Sequence, residues 1–98
     1  MTTPLLEKAL AAIRAHRPEA RAKGLDLIGV IGSVARGEVR PDSDVDVVYA
    51  VVGHASLMDL GGLQMDLQDE LERPVDMVDL NFVRPRVRAI MERDLVLA

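Results

Sequence analysis

Asp44 and Asp46 stand two residues apart at the head of an apolar run, so on an extended chain their carboxylates project from one face. Like charges this close oppose each other's ionisation, and a cation between them removes the conflict. Carboxylate oxygens are hard ligands that suit magnesium, an ion that keeps several waters and also binds substrate phosphates. Two such ions about 3.5–4 Å apart can clamp the attacking and leaving oxygens of an in-line phosphoryl displacement.

Upstream lies Gly32-Ser33, separated from Asp44 by the ten residues 34–43. It follows a strand-like run and opens a helical turn, a place where free backbone N–H groups attract anions. Gly32 lets a phosphate approach the main chain with no Cβ in the way. The Ser33 hydroxyl can donate a further hydrogen bond. Arg36, one turn later, carries forked donors that match phosphate oxygens. An anion cradle followed by metal carboxylates describes a triphosphate site. A third acid, Asp76, sits in Val75-Asp76-Met77-Val78, where a carboxylate in mid-strand is costly without a compensating charge. Asp79 competes with it but lies near the strand end and faces the other way.

The elements that must carry these groups are readable from periodicity. Thr3-Pro4 predicts an N-cap and first helical residue, and Leu6, Leu10 and Ile13 give a helix over 4–17 that Pro18 interrupts, with Glu19 to Lys23 able to add one more turn before Gly24 stops it. Leu25 to Ile31 is the first predicted strand, and Val34 to Glu38 a short helical segment. Val45 to Val52 is the second strand and the clearest in the chain. Ser56 is expected to cap a helix with Asp59 in its first turn and Leu60, Leu63, Leu67 and Leu71 as its buried stripe, despite the Gly61-Gly62 pair. Val75 to Leu80 is the third strand, and Asn81 is expected to cap a last helix carrying Val83, Val87 and Ile90. The order αβαβαβα predicts an α+β fold in which a short mixed sheet packs against helices in two layers. With 98 residues, the chain is expected to form one domain, residues 1–98.

Gly32-Ser33, ten residues, then Asp44-x-Asp46 resembles the signature of the polymerase-β-like nucleotidyltransferase superfamily. Ala35-Arg36-Gly37 and Ser43-Asp44 are similar to its minimal nucleotidyltransferase branch, and the likeness spans residues 25–80. The resemblance implies that Asp44, Asp46 and Asp76 are catalytic metal ligands, with Asp76 also activating the acceptor hydroxyl. It implies that Gly32, Ser33 and Arg36 hold the nucleotide, with ATP as donor and two Mg2+ ions as cofactor. Stand-alone members of this branch act as antitoxins beside helical HEPN-domain ribonucleases and can transfer AMP to a tyrosine of that toxin. The implied activity is therefore AMP transfer from ATP to a hydroxyl of a partner protein. The alternatives are a catalytically silent module that neutralises a partner by occlusion, and a transferase acting on a small molecule. The latter relatives generally carry an additional acceptor-binding domain, which these 98 residues are not expected to supply, so that alternative ranks last.

Composition narrows the field further. A net charge of −4 and only two aromatic residues, Tyr49 and Phe82, argue against direct nucleic-acid binding. The absence of cysteine excludes thiolate metal sites. No apolar stretch is long enough to span a bilayer and no secretory leader is visible, so a cytoplasmic location is expected. His16 and His54 read as isolated surface histidines, Arg84, Arg86 and Arg88 as a solvated face, Tyr49 as core, and the methionines as core filler. The second strand is apolar on both faces and needs cover on both. Another polypeptide, a second copy or a distinct partner, is expected to complete the active face or its flank.

Overall fold

The computed structural model describes residues 3–98. In chain order its elements are α1 (Pro4–Ala22), β1 (Leu25–Ile31), β2 (Val45–Val51), α2 (Leu57–Leu71), β3 (Val75–Asp79), α3 (Pro85–Asp94) and β4 (Val96–Leu97). The strands form one mixed sheet in the order β3-β2-β1-β4. β1 runs antiparallel to both β2 and β4, whereas β2 and β3 are parallel and joined by α2. The predicted mixed sheet packed against helices is therefore the one observed.

Two apolar clusters sit on opposite sides of this sheet. Leu6, Leu10 and Ile13 of α1 and Leu63, Leu67 and Leu71 of α2 pack on Leu25, Leu27, Val30, Val45, Val47, Tyr49 and Val75. On the other side, Ile31 and Val48 meet Met91 of α3, with Val78, Val83 and Val87 around them. The second face of β2 is thus covered in part from within the chain. A register shift between Leu27 and Gly29 marks a β-bulge in β1. The extra residue flips the alternation, so Leu25 and Leu27 but then Val30 face α1, while Ile31 turns toward α3 beside Asp46. Bulges re-aim side chains in this way near sites.

Several expectations are corrected. Pro18 does not interrupt α1, which runs unbroken to Ala22 and so includes most of the further turn expected after the proline. Proline removes one helical hydrogen bond, whose acceptor would be the Arg14 carbonyl; both residues are exposed, so water can satisfy it, while Ala20 in the next turn is fully buried. Residues 34–38 form turns and no helix. The last helix starts at Pro85 with Arg84 as N-cap, and the Asn81 N–H instead donates to the Asp79 carboxylate. Leu95-Val96-Leu97 includes a fourth strand, too short to signal itself by periodicity. The methionines are core filler only in part: Met91 is buried and Met77 packs half-buried against the core, but Met58 and Met65 are exposed, and Met1 lies outside the described residues. The α2 cap is as expected, with Ser56 and Asp59 bonding each other's backbone N–H groups.

β4 sits close because Gly29 has no side chain. A Cβ there would overlap the Val96 carbonyl oxygen, a backbone atom that cannot rotate away. Gly29→Ala is expected to cost about 1–3 kcal/mol, as overpacking does. The Ala98 N–H, which donates to the Ile28 carbonyl at 3.0 Å, should then exchange with solvent much faster. Unchanged exchange at Ala98 would show that this close approach does not hold β4.

Candidate active site

β2 and β3 are neighbours in parallel register, with Asp46 paired to Asp76. Paired residues project on the same side, so the two carboxylates meet on the α3 side of the sheet. Asp44 lies one residue before β2, two before Asp46, and completes the group. Burial pushes the Asp46 carboxyl up to about 6, aided by the charges of Asp76 and Asp44 and by a hydrogen bond with Asp76. The three predicted ligands therefore come together, although they lie 32 residues apart in the chain (76 minus 44). Asp79 pairs with Tyr49 on the opposite face and stays outside the group, as expected.

Gly32 caps β1 with φ +82°, a left-handed conformation that a side chain resists. A Cβ at this position would lie 2.6 Å from Asp46 Oδ2, so the glycine stands directly against the carboxylate. The turn that follows is closed by Arg36 N–H to the Gly32 carbonyl (3.1 Å) and Glu38 N–H to the Ser33 carbonyl (2.8 Å). Ser33 is thereby held in a tight turn, one residue after the glycine that abuts Asp46.

Arg36, expected to pair with phosphate, bonds two carboxylates of the chain. Its guanidinium donates to Asp94 Oδ2 at 2.7 Å and to Glu38 Oε2 at 3.1 Å. Asp94, at the end of α3, has a side chain only 4% exposed, and Arg93 and Arg36 hold its carboxyl below the usual range. The turn after Gly32-Ser33 is thus tied to the C-terminal helix. Phosphate could recruit Arg36 only in competition with these carboxylates.

Three further residues position the acids, and the sequence singled out none of them for that role. Arg73, just after α2, donates to the carbonyls of Arg40 (2.8 Å) and Ser43 (3.3 Å), fixing the loop that leads into Asp44. The Arg40 N–H adds a bond to Ser43 Oγ at 2.7 Å. Gln64 and Gln68 of α2 take up the carbonyl and N–H of Val75, fixing the start of β3 one residue before Asp76. A charged residue before a proline and two glutamines on a helix carry no distinguishing pattern. Only the packing of α2 against β3 gives them meaning. His16, read as isolated, is likewise corrected: its Nε2 lies 2.7 Å from Glu70 of α2.

A groove of about 410 Å³ runs between β3 and α3, lined by Met77, Val78, Phe82, Val83 and Val87 together with the charged Asp79 and Arg84. No helix among the described residues is long and apolar enough to cross a membrane.

Comparison with known proteins agrees with this fold. The family model described as polymerase beta nucleotidyltransferase matches residues 19–96. The protein adenylyltransferase MntA of Thermococcus cleftensis is 33% identical over 92 residues, covering 93% of each chain. A solved structure of a candidate minimal nucleotidyltransferase superposes with a TM-score of 0.76 at 34% identity, covering 93% of both chains. A complex of a tri-AMPylated HEPN toxin of Shewanella oneidensis with its MNT antitoxin is similar in fold alone, with a TM-score of 0.61 at 20% identity, over 99% of this chain and 71% of that one.

Proposed function

We propose, from the premise that this chain belongs to the polymerase beta nucleotidyltransferase family, that it transfers AMP from ATP to a hydroxyl of a partner protein. The observation that carries the reading is the convergence of Asp44, Asp46 and Asp76 on the α3 side of the sheet beside Gly32-Ser33. The donor set is all oxygen and all anionic, which fits magnesium. Bound there, two Mg2+ ions would supply charge neutralisation of the triphosphate and of the developing transition-state charge.

The residues have separate tasks. Gly32 and the Ser33 hydroxyl receive the triphosphate at the turn, and Asp44 and Asp46 hold the cations that accompany it. Asp76 serves as ligand and accepts the proton of the attacking hydroxyl at its carboxylate. The acceptor oxygen bonds to the α-phosphorus, the bond to the bridging oxygen toward the β-phosphate breaks, and pyrophosphate leaves. Residues 1–98 act as one catalytic domain, in the cytoplasm where ATP is available.

The partner in this reading is a helical toxin of the HEPN type, and the chain is its antitoxin. The relative named MntA is a protein adenylyltransferase, and the Shewanella complex pairs an AMPylated HEPN toxin with an MNT antitoxin. Exposed Leu57, Met58, Met65 and Phe82 are apolar surface of the kind that partners cover.

The test is labelled ATP, magnesium and the product of the neighbouring gene. Label should appear on that protein with the wild type and vanish with Asp44→Asn. If both leave every partner unlabelled, the transferase reading fails, and full neutralisation by Asp44→Asn would favour occlusion. Arg73→Met tests the positioning of the metal loop. Loosening it is expected to slow transfer about 10- to 100-fold, the scale of an ångström-sized misplacement. A rate within twofold of the wild type would remove Arg73 from the positioning set.

A further inference from the structure

On the side of the sheet away from the catalytic acids, α1 and α2 pack together. At their junction lies a second group of potential ligands. The His16 ring, 21% exposed, sits between carboxylates: Nε2 is 2.7 Å from Glu70 Oε2, and Nδ1 is 3.8 Å from Glu19 Oε2. One ligand atom from each of His16, Glu19 and Asp66 lies within 4.8 Å of the other two. The spacing explains the convergence. His16 and Glu19 are three apart on α1, and Asp66 and Glu70 are four apart on α2, so each pair shares a helix face.

We propose that His16 Nδ1, Glu19 and Asp66 bind a zinc ion that staples α1 to α2. Three features support this. First, three carboxylates surround one imidazole, so the group stays net negative even when the ring is protonated; Lys23 offsets this only through the other Glu19 oxygen, at 3.2 Å. Second, Glu70 stands where a histidine ligand's outer carboxylate stands. Accepting a hydrogen bond from Nε2–H, it fixes the tautomer that turns the Nδ1 lone pair toward Glu19. Third, an imidazole nitrogen with two carboxylate oxygens suits Zn2+, which takes such ligands at about 2.0–2.2 Å, better than Mg2+. Glu19 and Asp66 are exposed, so their side chains are free to close the remaining distance. Three protein ligands leave a fourth position for water.

The site is distinct from the catalytic one, and the experiment keeps them apart. Zinc chloride is titrated into the full chain and into the Asp44→Asn/Asp46→Asn variant, with calorimetry and thermal melting as readouts. Both should bind one zinc outside the catalytic group and melt at higher temperature as zinc rises. His16→Gln should lose affinity more than about tenfold, and Glu70→Gln by about 10- to 100-fold, the effect of an outer carboxylate. Circular dichroism checks that each variant is folded, and Asp66→Asn, at an exposed position, replaces His16→Gln should the latter misfold. X-ray absorption of the zinc-loaded double variant should show one nitrogen among oxygen ligands. Zinc binding that survives both His16→Gln and Asp66→Asn, or disappears with the double variant, overturns the proposal. So does absence of uptake at about 100 µM free zinc, where a site of useful affinity would be occupied.

Discussion

Asp46→Asn is expected to lower nucleotide transfer about a thousandfold, the scale of losing one strong electrostatic contributor to the transition state. The same substitution is expected to stabilise the metal-free protein near neutral pH. Burial and the charges of Asp76 and Asp44 raise the Asp46 carboxyl from 3.8 to about 6. The folded state therefore holds a proton that the unfolded chain has already released between those values. The stability this proton provides is fully present below pH 3.8 and is lost as pH rises through about 6. At pH 7.5 the ionised Asp46 is a net cost, which asparagine removes. A shift of two units corresponds to about 3 kcal/mol at most, and because the group is only half-buried, solvent screening reduces this to about 1 kcal/mol.

In a domain of this size that is a rise of about 4–8 °C in Tm. Melting curves of both proteins without divalent ions check it. The gap should be largest at pH 7.5, close toward pH 4, and shrink when magnesium is added to the wild type. A variant no more stable than the wild type at pH 7.5 would mean that the three acids do not strain one another. The apparent magnesium affinity of the wild type should also fall as pH drops through about 6, because a protonated Asp46 is a poorer ligand.

Gly32→Ala is the second substitution with a large expected effect. The φ of +82° resists any side chain, and the left-handed conformation costs about 1–2 kcal/mol. Beyond this strain, the added Cβ would come within 2.6 Å of Asp46 Oδ2 and push the carboxylate away from Asp76 and Asp44. Transfer is expected to fall about a hundredfold, the penalty for a misplaced catalytic group. The two causes separate in a double-mutant cycle with Asp46→Ala. Against Asp46→Ala the crowding disappears and only the backbone strain remains, so Gly32→Ala should cost less stability there. Equal costs in both backgrounds would show that the glycine serves the turn alone and not the carboxylate beside it.

Much of this was legible in the chain because it depends on local order. β1 and the core of β2 and β3 follow from apolar, β-branched runs, and the α2 cap from Ser56 with Asp59 three residues on. Asp44 and Asp46 declare themselves because a two-residue spacing fixes a common side at any strand. Asp76 was readable as an oddity, a charge among apolar neighbours. That it stands beside Asp46 depends on β3 adding parallel to β2 in register, which α2 decides as it crosses between them.

Other features depend on which surfaces meet, and no local pattern encodes that. β4 has two residues and forms because Gly29 lets it close on β1. Arg36 finds Asp94 across 58 positions, and Arg73 finds the Arg40 and Ser43 carbonyls, only once α3 and the loop have packed. His16 acquires Glu70 from a helix that begins 41 residues later (57 minus 16). By itself the sequence determined the chemistry of the individual groups, since residue type and short spacing fix donors, charge and facing. Only the tertiary structure decided which groups share a site, because strand register and helix packing bring together residues that are distant along the chain.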